Sequence, residues 1–276
     1  MRTNHLKTKL AAGEAAFGTM VFEFVSAGLP AVLAAAGAEF VIYDMEHSGI
    51  DFPQMKDQFS FARGLNLVPL VRPPAKTYAD VSKLLDLGAM GLMLQMVESA
   101  QEISEIVSWT RYPPRGVRGA IFGGAHDDYL GGSIEEKMIG AGERTIIMPL
   151  IETRRGLEAV DEIAAVDGVD GLHLGQFDLT VSMGIPGQFD HPDFQRAVDR
   201  ILAACKRHGK FAGCMAMDGA TLAAWRQRGF SLISCSFDIA LMKTALVELI
   251  RNAKDEVIQP SGHRRREESP IDAARD

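Results

Sequence analysis

The stretch TIIMPLIETRRGLEAVDEIAAVDGVDGLHLGQFD, Thr145–Asp178, decides the fold. It opens on an apolar run of strand length, Thr145–Glu152, that ends on a carboxylate. Through Gly156–Ala165 the apolar residues return at helical spacing. Gly168 then stands where a left-handed residue stops a helix. A second apolar run, Gly171–Gln176, leads into Gly175-Gln-Phe-Asp178. Strand, helix and strand at this spacing predict a parallel βαβ unit. Strands that are apolar almost throughout are what a parallel sheet covered on both faces requires.

The same rhythm runs outward in both directions. Upstream, strands are predicted at Gly18–Phe24, Phe40–Glu46, Val68–Arg72 and Gly91–Val97. Downstream they are predicted at Phe211–Met217 and Leu232–Ser236. Helices are predicted at Thr77–Leu87, Asp193–His208, Thr221–Arg228 and Ile239–Lys254. Another opens at Ser99-Ala-Gln-Glu102, which has capping-box form, and a short one at Ser133-Ile-Glu-Glu136. Gly88, Gly209 and Gly229 sit just past helix ends.

Eight strands, each followed by a helix, predict an α/β fold: a (β/α)8 TIM barrel in one domain, residues 1–260, with a long loop after strand four and a C-terminal helix. A doubly wound open sheet is the rival. It usually has fewer strands and a Gly-rich phosphate turn, and neither GxGxxG nor GxxxxGK[ST] occurs. Pro113–Arg144 breaks the rhythm as a long connection of the kind used for lids or interfaces. Residues 261–276 are polar, aperiodic and predicted to be a disordered tail.

Composition narrows the function. Of 276 residues, 47 % are hydrophobic and 24 % charged, which excludes a disordered chain, a collagen and a coiled coil. There are 36 acidic against 29 basic residues, a net charge of -7. Such a chain has no general attraction for nucleic acid or anionic lipid, so neither partner is expected. The longest apolar candidate, Phe24–Ala38, contains Gly28 and Pro30 and is shorter than the roughly 20 residues of a spanning helix. No signal peptide is expected at the N-terminus. Cys205, Cys214 and Cys235 form no CxxC and read as reduced thiols, which predicts a cytoplasmic protein.

In a barrel of this kind the active site gathers at the C-terminal ends of the strands. Charges that end the predicted apolar runs are therefore the candidates. They are Asp44 to His47, Arg72, Glu152, Gly175 to Asp178, and Asp238. Glu152 and Asp178 close consecutive strands, and neighbouring strands lie about 4.8 Å apart. Two carboxylates, with other positions left to water and substrate oxygens, suit Mg²⁺ or Mn²⁺, with Co²⁺ or Zn²⁺ as further candidates. The bland alternative is that each caps the helix that follows.

Arg72 precedes two prolines that stiffen its backbone. Its five-donor fork suits a carboxylate or a developing enolate, and the bland alternative is a structural ion pair. His47, three residues after Asp44, is placed to be a general base. His173 lies inside a strand and reads as a packed core residue. His126 lies in the long loop, where it could gate the site or meet another subunit. The turn Gly175-Gln176-Phe177-Asp178 offers backbone N–H groups for a substrate carboxylate.

As a set, Asp44-Met-Glu-His47, Val71-Arg-Pro73, Leu85-Asp-Leu-Gly-Ala89, Thr110-Arg-Tyr-Pro-Pro-Arg-Gly116, Ile151-Glu-Thr153 and Gly175-Gln-Phe-Asp-Leu179 resemble the HpcH/HpaI family of metal-dependent class II pyruvate aldolases. The resemblance runs from about Ala16 to Leu249. It implies a barrel that splits a 4-hydroxy-2-oxo acid into pyruvate, or hydroxypyruvate, and an aldehyde. It implies Glu152 and Asp178 as metal ligands and Arg72 as the contact for the donor's keto oxygen. His47 is implied as the base, Asp86 as its dyad partner reaching a neighbouring subunit's site, and Asp44 as a contact for the acceptor aldehyde. The backbone of Phe177 and Asp178 is implied as the cradle for the carboxylate. A homo-hexamer built as a trimer of dimers is implied as well.

Two departures bear on acceptor choice. Leu150 stands where the family often has Gln, and Gly175-Gln176 where it often has Gly-Pro. No predicted strand ends in Lys, which speaks against Schiff-base chemistry. An acyl-CoA lyase would use similar groups but needs a nucleotide-binding surface. A phosphonopyruvate-type enzyme would need a Cys-rich loop. A non-catalytic metal-dependent 2-oxo acid binding protein would bind without exchanging protons.

Overall fold

A computed structural model describes residues 1–258 of the chain. The polar tail expected over 261–276, and the domain limit at 260, lie outside the described residues. By compactness the chain divides into Met1–Ile239, which holds the barrel, and Ala240–Asp276.

The strands are β1 (Ala16–Val21), β2 (Phe40–Asp44), β3 (Val68–Arg72), β4 (Gly91–Leu94), β5 (Ile146–Ile151), β6 (Gly171–Leu174), β7 (Phe211–Ala216) and β8 (Leu232–Phe237). They pair in parallel, in sequence order, and close on themselves. The predicted eight-stranded barrel is therefore present. Four of the predicted strands run two or three residues too long at the C-terminal end, as at Gly91–Val97, because the apolar run continues into the loop that builds the site.

Twelve α-helices occur among the described residues. They are α1 (His5–Ala11), α2 (Leu29–Ala35), α3 (Phe52–Phe61), α4 (Tyr78–Leu87), α5 (Ala100–Trp109), α6 (Ile134–Arg144), α7 (Arg154–Glu158), α8 (Val160–Ala165), α9 (Gln176–Ser182), α10 (Pro192–Arg207), α11 (Gly219–Arg228) and α12 (Asp238–Ile258). A 3-10 turn, Ala125–Asp127, lies in the long connection. The helix expected over Gly156–Ala165 is two short ones, α7 capped by Thr153 and α8 broken from it at Ala159. Helices α1, α2, α3 and α9 are additional to the predicted set. Ser99 caps α5 as expected, but Glu102 turns to Glu98 and Lys76, so only half of a capping box forms.

Side chains alternate along each strand, as a period of two requires. Phe40 and Ile42 of β2 join Leu70, Met93, Met148 and Leu150 in a core inside the barrel. Val41 and Tyr43 point outward and pack with Val71, Leu92, Ile147 and the helices. Each fully buried Leu or Ile contributes roughly 1.5–3 kcal/mol. Helix α1 lays Leu6 and Leu10 against the interior core and closes the N-terminal end. The Asn4 amide donates to the carbonyls of Met90 and Arg144, just before β4 and β5. The C-terminal end stays open.

In α12, Leu241, Met242, Leu246, Val247, Leu249 and Ile250 are exposed. No helix among the described residues is long and apolar enough to cross a membrane.

Candidate active site

A cavity of about 360 Å³ opens at the C-terminal ends of the strands. His47, Arg72, Glu152, Gly175, Gln176, Phe177 and Asp178 all line it. The strand-end charges singled out in the sequence thus come from four separate segments to one place. The remaining wall is mostly apolar and includes Met20, Phe22, Met93, Leu150, Met215 and Phe237, with the buried His173 among them.

The strand register sets the first contact. Asp44 and Arg72 are direct partners across β2 and β3. The Arg72 Nη2 donates to Asp44 Oδ2, and its Nη1 lies 3.1 Å from Glu46 Oε2. The guanidinium is thus held at two corners, while its buried Nε–H has no partner among the described residues. Asp44 is fully buried and accepts the backbone N–H groups of Glu46 and His47, both at 2.8 Å. It shapes the loop that presents His47 and does not itself line the cavity. His47 is exposed at the rim, with its Nε2 3.6 Å from Glu46 Oε2.

Glu152 follows β5 directly and is only 2 % exposed. Its Oε1 accepts the Met96 N–H at 2.6 Å. Met96 holds a positive φ of 49° and is steadied by Lys76, whose Nζ donates to its carbonyl at 2.6 Å. Burial pushes the Glu152 carboxyl up to about 7. The Met96 N–H and Arg72 oppose the rise, and the charges of Asp178 and Glu46 add to it. Burial likewise raises Glu46, with Arg72 and His47 pulling the other way. Three carboxylates therefore feel one another around a single arginine.

Asp178 does not sit at the end of β6 as the sequence suggested. That strand stops at Leu174, and Asp178 stands exposed in the first turn of α9. The strand-spacing argument for the pair therefore fails, although both line the cavity. Gly175, the residue before α9, supplies no side-chain cap, so the first N–H groups of the helix stay available. Glycine is also required here for space. A Cβ would lie 2.5 Å from Glu152 Cβ and 2.6 Å from its Oε2.

The donor set suits a hard divalent cation. Glu152 Oε2 has no hydrogen-bond partner among the described residues, and the absent Cβ of Gly175 leaves that oxygen uncovered. A buried carboxylate without a cation is costly, and a bound ion relieves the cost. No group of three or more His, Cys, Asp or Glu with metal-binding geometry occurs among the described residues. Two carboxylates leave the remaining positions to water and substrate, as Mg²⁺ or Mn²⁺ sites commonly do.

Other candidates fall elsewhere, except His173, which lines the cavity. Asp86, on α4, is 2.6 Å from the buried Arg118 and is not bonded to His47 within the chain. His126 is 1 % exposed, with the Phe122 ring tilted against it at 6.3 Å, so it cannot gate the mouth. His173 is buried as expected, with its Nδ1 3.1 Å from the Leu174 carbonyl, and burial holds it down at about 4. Asp238 accepts the N–H groups of Phe22, Glu23 and Phe24 and ties β8 to the loop after β1. Two participants escaped the sequence reading. Glu46 lay inside a quoted motif, where its i+2 offset from Asp44 could have marked it. Met96 acts through its backbone, for which residue type carries no signal.

Comparison with known proteins gives the family. Residues 23–245 match the profile of the family described as HpcH/HpaI aldolase/citrate lyase. A hydroxypyruvate/pyruvate aldolase from Roseovarius nubinhibens is 33 % identical over 87 % of this chain and 93 % of its own length. A 5-keto-4-deoxy-D-glucarate aldolase from an Enterobacter species is 31 % identical over 81 % of this chain and 86 % of its own. The crystal structure of an HpcH/HpaI aldolase from Desulfitobacterium hafniense superposes with a TM-score of 0.86 at 32 % identity, covering 90 % of this chain and 96 % of that one. The chain belongs to the HpcH/HpaI aldolase/citrate lyase family and is a carbon–carbon lyase of the aldolase type.

Proposed function

We propose that this family member catalyses the reversible aldol cleavage of a 4-hydroxy-2-oxo acid into pyruvate or hydroxypyruvate and an aldehyde, with Mg²⁺ or Mn²⁺ held by Glu152 and Asp178. The observation that carries the reading is the meeting of His47, Arg72, Glu152 and Asp178 in one cavity. Relatives named for pyruvate, hydroxypyruvate and a keto-deoxy sugar acid support the substrate class.

When bound, the cation supplies Lewis-acid polarisation of the donor's 2-oxo group. Arg72, fixed by Asp44 and Glu46, stabilises the negative charge that grows on that oxygen as the enolate forms. Its donors are held before the reaction, so little reorganisation accompanies the step. The free N–H groups of Phe177 and Asp178 orient the donor carboxylate. His47, at the solvent-facing rim, moves the proton to and from the donor carbon. The apolar wall limits water around the enolate and favours attack on the aldehyde over protonation. Asp44 serves here by holding Arg72 and the His47 loop.

We also propose a homo-oligomer, a hexamer of three dimers, in which Asp86 of a neighbour orients His47. Exposed apolar residues support association, among them Val117, Ile121, Tyr129 and Leu130 in the long connection and Leu246 and Ile250 in α12. A cytoplasmic setting is supported by the three unpaired thiols. Light scattering tests the assembly, and a monomer with full activity would remove Asp86 from the site.

The reaction is tested by stripping the protein with EDTA and adding back Mg²⁺, Mn²⁺, Co²⁺ or Zn²⁺ singly. Condensation of pyruvate and of hydroxypyruvate with a panel of aldehydes is then assayed. Loss on stripping and recovery with Mg²⁺ or Mn²⁺ is expected. Undiminished turnover in EDTA, or no condensation with either donor, contradicts the proposal.

A further inference from the structure

A second polar cavity lies at the opposite, N-terminal end of the barrel. It measures about 310 Å³, and Arg2, Thr3, Asn4, Lys7, Glu143 and Arg144 contribute to its walls. Arg144 ends α6 two residues before β5 begins, so its backbone is fixed by the barrel itself. It is 6 % exposed, and its Nε is buried without a partner.

The cations around it are accounted for, and Arg144 is not. Lys7 is 2.9 Å from Asp170, Lys137 is 2.6 Å from Asp127, and Arg118 is 2.6 Å from Asp86. Arg2 and Arg63 share Asp128, at 3.7 and 3.9 Å. Arg63 also stacks over the Tyr129 ring, 4.8 Å from its centroid. Among the described residues, no carboxylate lies within 4.0 Å of the Arg144 guanidinium, and no acceptor takes its N–H groups. Asp128 attracts it from farther away but is already spent on two arginines, and Arg2, Arg118 and Arg63 repel it. Burial lowers Arg144 to about 10, so it stays cationic at neutral pH.

The C-terminal dipole of α6 does not answer for this charge, because its closing carbonyls are already taken. Thr145 donates to the Ala141 carbonyl through both its N–H and its Oγ1, and Arg111 donates to the Gly142 carbonyl. What remains is a buried five-donor fork on a residue that lines a cavity large enough for a small molecule. That is the chemistry of oxyanion recognition.

We propose that this cavity binds a small oxyanion, phosphate or carboxylate, through the Arg144 guanidinium. The site lies at the other end of the barrel from the aldolase cavity and is independent of the proposed reaction.

Isothermal titration of EDTA-stripped, full-length protein with inorganic phosphate, sulfate and succinate, each against NaCl at matched ionic strength, tests it. One site per chain is expected for at least one of the three, and the strongest binder identifies the oxyanion class. Arg144→Gln is expected to weaken that binding at least tenfold. Arg144→Lys, which keeps the charge and loses the fork, should fall between. Arg72→Lys, at the other cavity, should leave it unchanged. No binding by wild type above the chloride control overturns the proposal, as does binding that survives Arg144→Gln or disappears with Arg72→Lys. If Arg144→Gln does not fold, Arg144→Lys and the wild-type titration decide the matter.

Discussion

Two buried carboxylates, Glu152 at the mouth of the barrel and Asp127 in the long connection, have nearly the same exposure and opposite circumstances. Asp127 is 0 % exposed and is met by the Lys137 ammonium at 2.6 Å and the Gly123 N–H at 2.7 Å. Burial pushes its carboxyl up, but those two partners outweigh it and leave it below the usual range. Glu152 is 2 % exposed, has one N–H partner and no cation within salt-bridge distance, and is pushed up to about 7. A buried acid with its own cation holds the fold together. A buried acid flanked by other acids carries a charge that a cation from outside would relieve. The same type of side chain at the same burial therefore does different work, and its neighbours decide which.

This contrast can be broken at either end. The largest effect belongs to the mouth. Glu152→Gln should lower kcat about 10³-fold, roughly 4 kcal/mol, with the melting temperature unchanged or raised because a buried charge is relieved. Steady-state cleavage assays and thermal melts check both halves, and a stability loss would make Glu152 a structural residue. Lys137→Met should do the reverse, destabilising by about 3 kcal/mol with normal turnover per folded molecule, since it strands Asp127. For a barrel of this size the melt should fall by about 6–12 °C.

The acid side of the stability curve sharpens the same point. A carboxyl lowered in the folded state stabilises fully above its unfolded value of about 3.9, and this support is lost as pH falls through the folded value. Lys137→Met should therefore show less additional loss than wild type over that acid window in urea titrations. Arg72→Lys keeps the charge but cannot span Asp44 and Glu46, so a fall of about 10²-fold in kcat/KM is expected, roughly 2.7 kcal/mol. Gly175→Ala should be the mildest. Its Cβ would crowd Glu152 Oε2, and metal affinity read by calorimetry should drop about tenfold while the donor KM at saturating metal changes little.

Much of this was legible in the sequence, and several of the exceptions have physical causes. The apolar strands and their capped helices follow from periodicity, and Val68–Arg72 matches to the residue. Helices α2 and α9 were not legible, since each has seven residues and begins on a glycine without a side-chain cap. Arg72 and Glu152 were visible because a charge at the end of an apolar run stands out. Met96 was invisible because a positive φ and a backbone N–H leave no mark on residue type. His126 was misread because a histidine in a polar loop gives no sign that Phe122 and the buried Arg118 will enclose it. The displacement of Asp178 into α9 shows that convergence on a cavity can hold even when the register argument for it does not.

The proposed role of Glu152 and Asp178 is to hold the cation with which this barrel enolises a 2-oxo acid. Exchange of the pyruvate methyl protons in D₂O, followed by proton NMR without any aldehyde, tests it most directly. Exchange is expected to require Mg²⁺ or Mn²⁺, to stop with EDTA, and to be absent in Glu152→Ala. Exchange at the wild-type rate in EDTA, or surviving Glu152→Ala, would contradict it.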